Sequence, residues 1–284
     1  MVARRPMDPL RRKVAKLFRE AADFHYALET HDTQRAIGAG QPAIARILGL
    51  RGLSDDAGRR RLVAASQGEV AAAQRHLDES FRLRLWASSE LTDPNTRAAT
   101  LAEAYCRGQG VARIRQETAT RLDGIKTPKL FAFARWVLAL TDPESRGQSD
   151  RIENPFGVSS DVIPETFLAS MCDWHLTEGT SEKNYAPFLF GAFPLLPVEV
   201  RLWNKVRGEG TVSSFGSQSH PLLQTTVAAL SLEPVDPLPA DHAVLAVASE
   251  RILAEGLATR EWLTSAQEEY QAYHRRVVAT GASK

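Results

Sequence analysis

Three groupings of side chains in this 284-residue sequence combine residue types and spacings that can do chemistry. His31 and Asp32 are adjacent, with Asp23 and His25 shortly before them. Such a doublet offers a nitrogen and an oxygen ligand to a hydrolytic metal, provided that further histidines and an aspartate converge from other helices. No such partners can be placed downstream, and Asp32 before Thr33 reads more simply as a turn or helix cap. A helical metal-dependent hydrolase using His31 and Asp32 is therefore the alternative reading. Cys172 and His175 lie three apart on one expected helix. A thiol nucleophile needs an imidazole within hydrogen-bond reach, but catalytic pairs usually come from separate elements, so core packing is expected for both. Asp55 and Asp56 sit at an expected helix start and are followed by Arg59, Arg60 and Arg61, which suits dipole compensation better than a divalent cation.

Other signatures are missing from the sequence. No histidine has a glutamate three places before it, and neither HExxH nor a glycine-rich phosphate loop occurs. The expectation is a protein with no catalytic, cofactor or metal site, and hence not an enzyme. Thirty-five basic residues against 34 acidic leave a net charge of +1, too little to attract nucleic acid in bulk. The local basic groups, Arg59 to Arg61, Arg82 with Arg84, and Arg113 with Arg115, are interleaved with acids and read as a solvated mixed-charge surface. Two cysteines cannot build a disulfide framework, which favours a reducing compartment. The most apolar run, Phe188 to Val198, is interrupted by Pro194 and Pro197 and is far short of the roughly twenty residues of a membrane span. The basic N-terminus lacks an apolar segment behind it that would make a secretory signal. A cytoplasmic location is expected.

The elements that must position these groups are helical almost throughout. Apolar residues recur at i, i+3 and i+4, and no alternating run bounded by hairpin turns stands out. Ser54 is a candidate cap for a long helical stretch to Leu91, with a break expected near Gly68 and a stripe of Val63, Val70, Ala73, Leu77, Phe81, Leu85 and Trp86. Two turns resemble each other, Leu91 to Arg97 (LTDPNTR) and Leu140 to Arg146 (LTDPESR). In both, an aspartate can cap and the next proline can open a helix, and Thr141 with Glu144 has capping-box spacing. A duplicated helical hairpin, and with it a scaffold or repeat module, is a further alternative. Helices are expected to open at Pro128, Pro164 and Pro197, and a short one to run from Ser219 to Leu230. Leu232 to Pro239 must be extended, because proline recurs every second or third residue. Two closing helices are expected, from Ala240 and from Thr259. The fold class is all-α, a helical bundle or short solenoid-like array of about 9–11 helices, with an internal boundary near 150 separating regions 1–150 and 151–284.

The segment from Tyr185 to Arg207 concentrates aromatic side chains in a proline-broken stretch. Aromatic and arginine side chains are the usual anchors of protein interfaces, so Tyr185, Phe188, Arg201, Trp203 and Arg207, with His220 after the next loop, are the candidate partner-binding residues. The aromatic helix ending in Trp174-His175, then Tyr185, the apolar block with Pro197-Val-Glu-Val200, and His220-Pro-Leu-Leu223 together resemble the Immunity protein 49 family of bacterial polymorphic toxin systems. The resemblance covers roughly Phe167 to Val227. It implies an all-α protein that binds and neutralises a cognate toxin domain. The near-zero net charge departs from the acidic inhibitor that would cover a basic nuclease.

Overall fold

The computed structural model describes residues 54–55, 57–88, 94–145, 153–158, 164–181, 193–208 and 220–236, together with residue 15 and scattered positions between 246 and 268. Tyr185, Phe188, His31 and Asp32 lie outside the described residues, as do most of the two closing helices. The described part is all-α, with seven α-helices and no strand. They are α1 (57–66, with 54 and 55 also helical), α2 (Val70–Ser88), α3 (Pro94–Cys106), α4 (Ala112–Ala119), α5 (Pro128–Leu140), α6 (Pro164–Thr177) and α7 (Val198–Arg207).

Proline and glycine set the boundaries as the sequence suggests. Pro128 occupies the first turn of α5, and Pro197 precedes the first residue of α7. Gly208 closes α7 in the left-handed conformation, and Gly68, at φ +79°, turns the chain between α1 and α2. A residue with a Cβ would strain that second corner, so the long helical stretch breaks where expected. Ser54 is itself helical, and its hydroxyl donates across to Ser80 O at 2.8 Å while the Ser80 hydroxyl donates back to Ser54 O at 2.8 Å. The expected cap is thus a cross-link between two helices.

Helix α3 is the axis of the fold. It packs against α2, α4, α5 and α7, and α6 packs on α7. Small side chains make this possible: Ala98, Ala99, Ala102 and Ala104 are fully buried and let the neighbouring helices come close. On the α5–α6–α7 side the core is aromatic. Trp136 meets Phe156 edge-on at 5.0 Å, Phe133 stacks on Trp174 at 5.0 Å, and Phe167 lies 4.8 Å from Trp203. Each such ring contributes on the order of 1.5–3 kcal/mol of burial.

Four local expectations need correction. Val70 is 54% exposed, because it opens α2 just past the Gly68 corner, before the helix reaches the core; Ala73, Leu77, Phe81 and Leu85 do form the buried stripe. The segment 220–230 is a series of turns ending in a 3-10 turn, Val227–Ala229, and contains no α-helix. Its side chains compete for the backbone: Leu222 N–H donates to His220 Nδ1, and Ala228 N–H donates to Thr225 Oγ1. Thr141 does not begin a capping box; its hydroxyl donates back to Val137 O at 2.8 Å and finishes α5. Asp142 does accept from Glu144 N–H at 3.2 Å, but Pro143 opens only a three-residue 3-10 turn, Pro143–Ser145, whereas Pro94 opens thirteen residues of α-helix. Among the described residues the two prolines therefore open helices of different type.

Candidate functional site

The groups with most chemical potential among the described residues lie inside, around α3. Glu103 is fully buried and accepts from Arg84 Nη2 at 2.5 Å and from Arg107 Nε at 3.0 Å. Arg107, one helical turn after Glu103, also donates through Nη1 to Asp78 at 2.8 Å and to Glu233 O at 2.9 Å. Arg61, buried on α1, donates to Pro194 O at 2.7 Å. That carbonyl belongs to a tight turn in which Leu195 takes φ 61°, a left-handed conformation that costs a non-glycine residue about 1–2 kcal/mol. The same turn lays Phe193 beneath the Arg84 guanidinium, 4.3 Å from ring centre to Cζ, and Phe81 lies 4.6 Å from that of Arg107. The arginines expected on a solvated surface are thus split: Arg61 and Arg84 are buried, while Arg59 and Arg60 are partly exposed.

Electrostatics follow from this burial. Loss of solvent lowers Arg61 to about 9, Glu103 opposes the shift, and Arg84, Arg201 and Arg107 add to it. Arg201 is lowered to about 10 by burial. Burial alone would raise the Glu103 carboxyl, but the guanidinium groups of Arg84 and Arg107 outweigh it and hold Glu103 below the ordinary range. Glu103 is therefore a bound counter-ion and not a proton donor.

This charged centre fastens the segment 228–235, which runs from the end of the 3-10 turn into the irregular stretch after it. Arg201 donates to Ala228 O and Leu230 O, Arg107 to Glu233 O, and Gln109 to Val235 O at 2.9 Å. Gln74 on α2 both donates to Ser231 O and accepts from Ser231 N–H, at 3.0 and 2.8 Å. A segment outside helix and sheet leaves its carbonyls needing donors, and here side chains of α2, of α7 and of the C-terminal end of α3 supply them.

The second polar group is His175 with Glu199. Both are fully buried, with Nδ1 and Oε1 2.9 Å apart. Cys172, one turn before His175, is also buried. Burial pushes its thiol well above the ordinary value, and the charges of Glu199 and Asp173 push in the same direction. Cys106 is likewise pushed up by burial, to about 12. A nucleophilic cysteine needs a lowered pKa and access, and Cys172 has neither. Among the described residues no three His, Cys, Asp or Glu side chains are grouped to hold a metal ion. No described helix is long and apolar enough to cross a membrane.

The candidate partner-binding residues separate. Trp203 is 3% exposed and belongs to the aromatic core, 6.4 Å from Trp136. Arg201 is half-buried and committed to the 228–230 carbonyls. Neither is available as an interface anchor, because helix packing turned both inward. Arg207 is exposed at the end of α7, with its guanidinium 5.4 Å from the Trp203 ring. His220 keeps one edge toward the surface and pairs through Nε2 with Asp173 of α6 at 3.2 Å, the aspartate being 56% exposed.

Sequence reasoning missed Glu103, Arg107, Asp78 and Glu199. A signal existed for some: Arg84 lies three residues after Phe81 and seven after Leu77, on the buried stripe, and Glu103 with Arg107 has ion-pair spacing on one helix. Nothing in the sequence pointed to Glu199 as the partner of His175. Compared with protein-family models, curated proteins and solved structures, the chain matches none of them.

Proposed function

We propose that this chain is a non-catalytic binding protein whose partner is another protein, and most specifically an immunity protein that neutralises a cognate bacterial toxin domain by direct contact. The observation that carries the reading is where the polar chemistry of the described residues lies. The Cys172 thiol is sealed and held above its ordinary range, His175 is closed off against Glu199, and the arginines around Glu103 are engaged in holding helices and the 228–235 segment. These groups shape the molecule, which leaves recognition to its outer face. On that face Arg207 and Asp173 carry charge, with His220 beside Asp173, on or beside the packed pair α6 and α7, in the stretch whose sequence resembles the immunity family.

The test asks whether a gene beside this chain's own encodes a toxin-like C-terminal domain, and produces that domain with and without this chain in a bacterial host. Co-production is expected to restore growth, and the purified proteins to elute as one stoichiometric complex. Arg207→Glu should weaken binding at least tenfold with little change in thermal stability, since Arg207 is exposed at the end of α7. Unrestored growth with no complex, or turnover of the toxin's substrate by this chain alone, would contradict the proposal.

A further inference from the structure

His220 is the one titratable side chain between residues 220 and 232, and both of its ring nitrogens are in use. Nδ1 accepts from the N–H of Leu222, two residues on, at 3.2 Å, and Nε2 faces Asp173 Oδ1 of α6, also at 3.2 Å. These two contacts fix where the proton sits. A backbone N–H can only donate, so Nδ1 must present its lone pair; an ionised carboxylate can only accept, so Nε2 must carry the hydrogen. The ring that fits the fold is therefore the neutral one, protonated at Nε2 alone. A second proton has one place to go. It binds at Nδ1, and that nitrogen then points an N–H at the N–H of Leu222. The bond is lost and two donors face each other. Leu222 is fully buried, so its N–H does not simply turn to solvent. The other end of the ring keeps its contact: Nε2 retains its hydrogen, and the Asp173 carboxylate, 56% exposed, now faces a cation.

Among the described residues, the charged group that faces the ring is Asp173. The neighbouring titratable groups of α6, Cys172 and His175, are buried in the core, with His175 against Glu199 of α7. Arg201, also of α7, is bound to the carbonyls of Ala228 and Leu230, and Glu233 accepts from the Ser231 hydroxyl at 3.0 Å. From the fixed position of the proton, and the bond that a second proton must break, we infer that His220 is a proton-operated latch of the 220–223 turn. Neutral, it ties the turn to α6 through both ring nitrogens. Charged, it stays on Asp173 and lets go of Leu222, and the turn reshapes until the Leu222 N–H finds another acceptor. The side of α6 that carries Asp173 then has two local forms, one for each charge state of His220. The inference stands apart from the proposed function, since it does not depend on what binds there.

The experiment is a pH titration of the full-length protein followed by NMR, run downward from about pH 8 until the His220 ring is charged. At the start, the long-range proton–nitrogen spectrum of the imidazole is expected to show hydrogen on Nε2 and none on Nδ1. As the ring takes its second proton, the Leu222 amide resonance should move with the same midpoint. Its protection against hydrogen exchange should fall about tenfold, as the loss of one hydrogen bond implies, while amides of α5 keep theirs. His220→Asn supplies the control, because an asparagine oxygen can accept from the N–H two residues on and does not titrate. In that variant the Leu222 amide should stay in place over the whole range. Should His220→Asn fail to fold, the wild-type titration decides alone. Hydrogen on Nδ1 of the neutral ring, a Leu222 amide that ignores the charging of His220, or the same Leu222 transition in folded His220→Asn would each overturn the assignment.

Discussion

The two sides of the α3 axis are held together by different physics. Toward α5, α6 and α7 the contacts are rings: Phe133, Trp136, Phe156, Phe167, Trp174 and Trp203 bury large apolar surfaces against one another. Toward α2 and the 228–235 segment they are directional bonds centred on Glu103, Arg84 and Arg107. The difference tracks what is being packed. Helices satisfy their own backbone groups and need only an apolar seam. An extended, proline-containing segment cannot do so, and it is held by side chains that reach its carbonyls individually. Aromatic packing tolerates small rearrangements; a charged centre fixes one arrangement and fails sharply when a partner is lost.

The comparison breaks most visibly at Glu103. Glu103→Gln leaves Arg84 and Arg107 buried without their counter-ion and is expected to destabilise the protein by about 3–5 kcal/mol, read by urea unfolding. The pH dependence follows from the direction of the shift. Glu103 is held below its unfolded value, so its contribution is complete above the unfolded carboxylate range and is lost as pH falls through the lower folded value. The gap between wild type and Glu103→Gln should therefore be constant near neutrality and narrow only below about pH 4. On the aromatic side, Trp203→Phe keeps an apolar ring and should cost less, about 1–2 kcal/mol, with no comparable pH dependence.

A smaller effect sharpens the role of the extended segment. Gln74→Ala removes both bonds to Ser231 together with one to Asp78 Oδ1 and should cost about 1–2 kcal/mol. Hydrogen exchange or limited proteolysis should show faster opening across 231–236 in that variant, while α5 and α7 keep their protection. Equal loosening of the whole domain would mean that the segment and the core are not separable in this way.

Helix content and most helix starts were legible from the sequence because proline, glycine and apolar spacing act locally. Pro128, Pro164 and Gly68 decide their own neighbourhoods whatever the rest of the chain does. The turns of 220–230 were not legible, since side-chain bonds from His220 and Thr225 outweigh a weak helical pattern. The buried charges were the least legible feature. Arg84 and Glu103 sit on the inward faces of α2 and α3, but a charged residue on such a face is read as solvated until its partner is known, and these partners are nineteen residues apart. Arg107 and Glu233 O are 126 residues apart. The same limit applied to the candidate interface: Trp203 and Arg201 have the residue types of surface anchors, and only the packing of α7 on α3 and α5 shows that they are taken up internally.

The central claim is that Arg84 and Glu103 act as one structural unit inside the fold. A double-mutant cycle by urea unfolding, with Arg84→Met, Glu103→Leu and both together, tests it most directly. The account predicts that Glu103→Leu costs about 3–5 kcal/mol and that the double variant recovers at least about 2 kcal/mol of the summed loss, because Glu103→Leu leaves Arg84 buried without its counter-ion and the double variant removes that charge as well. Losses that add to within about 0.5 kcal/mol would show two independent side chains and contradict the account.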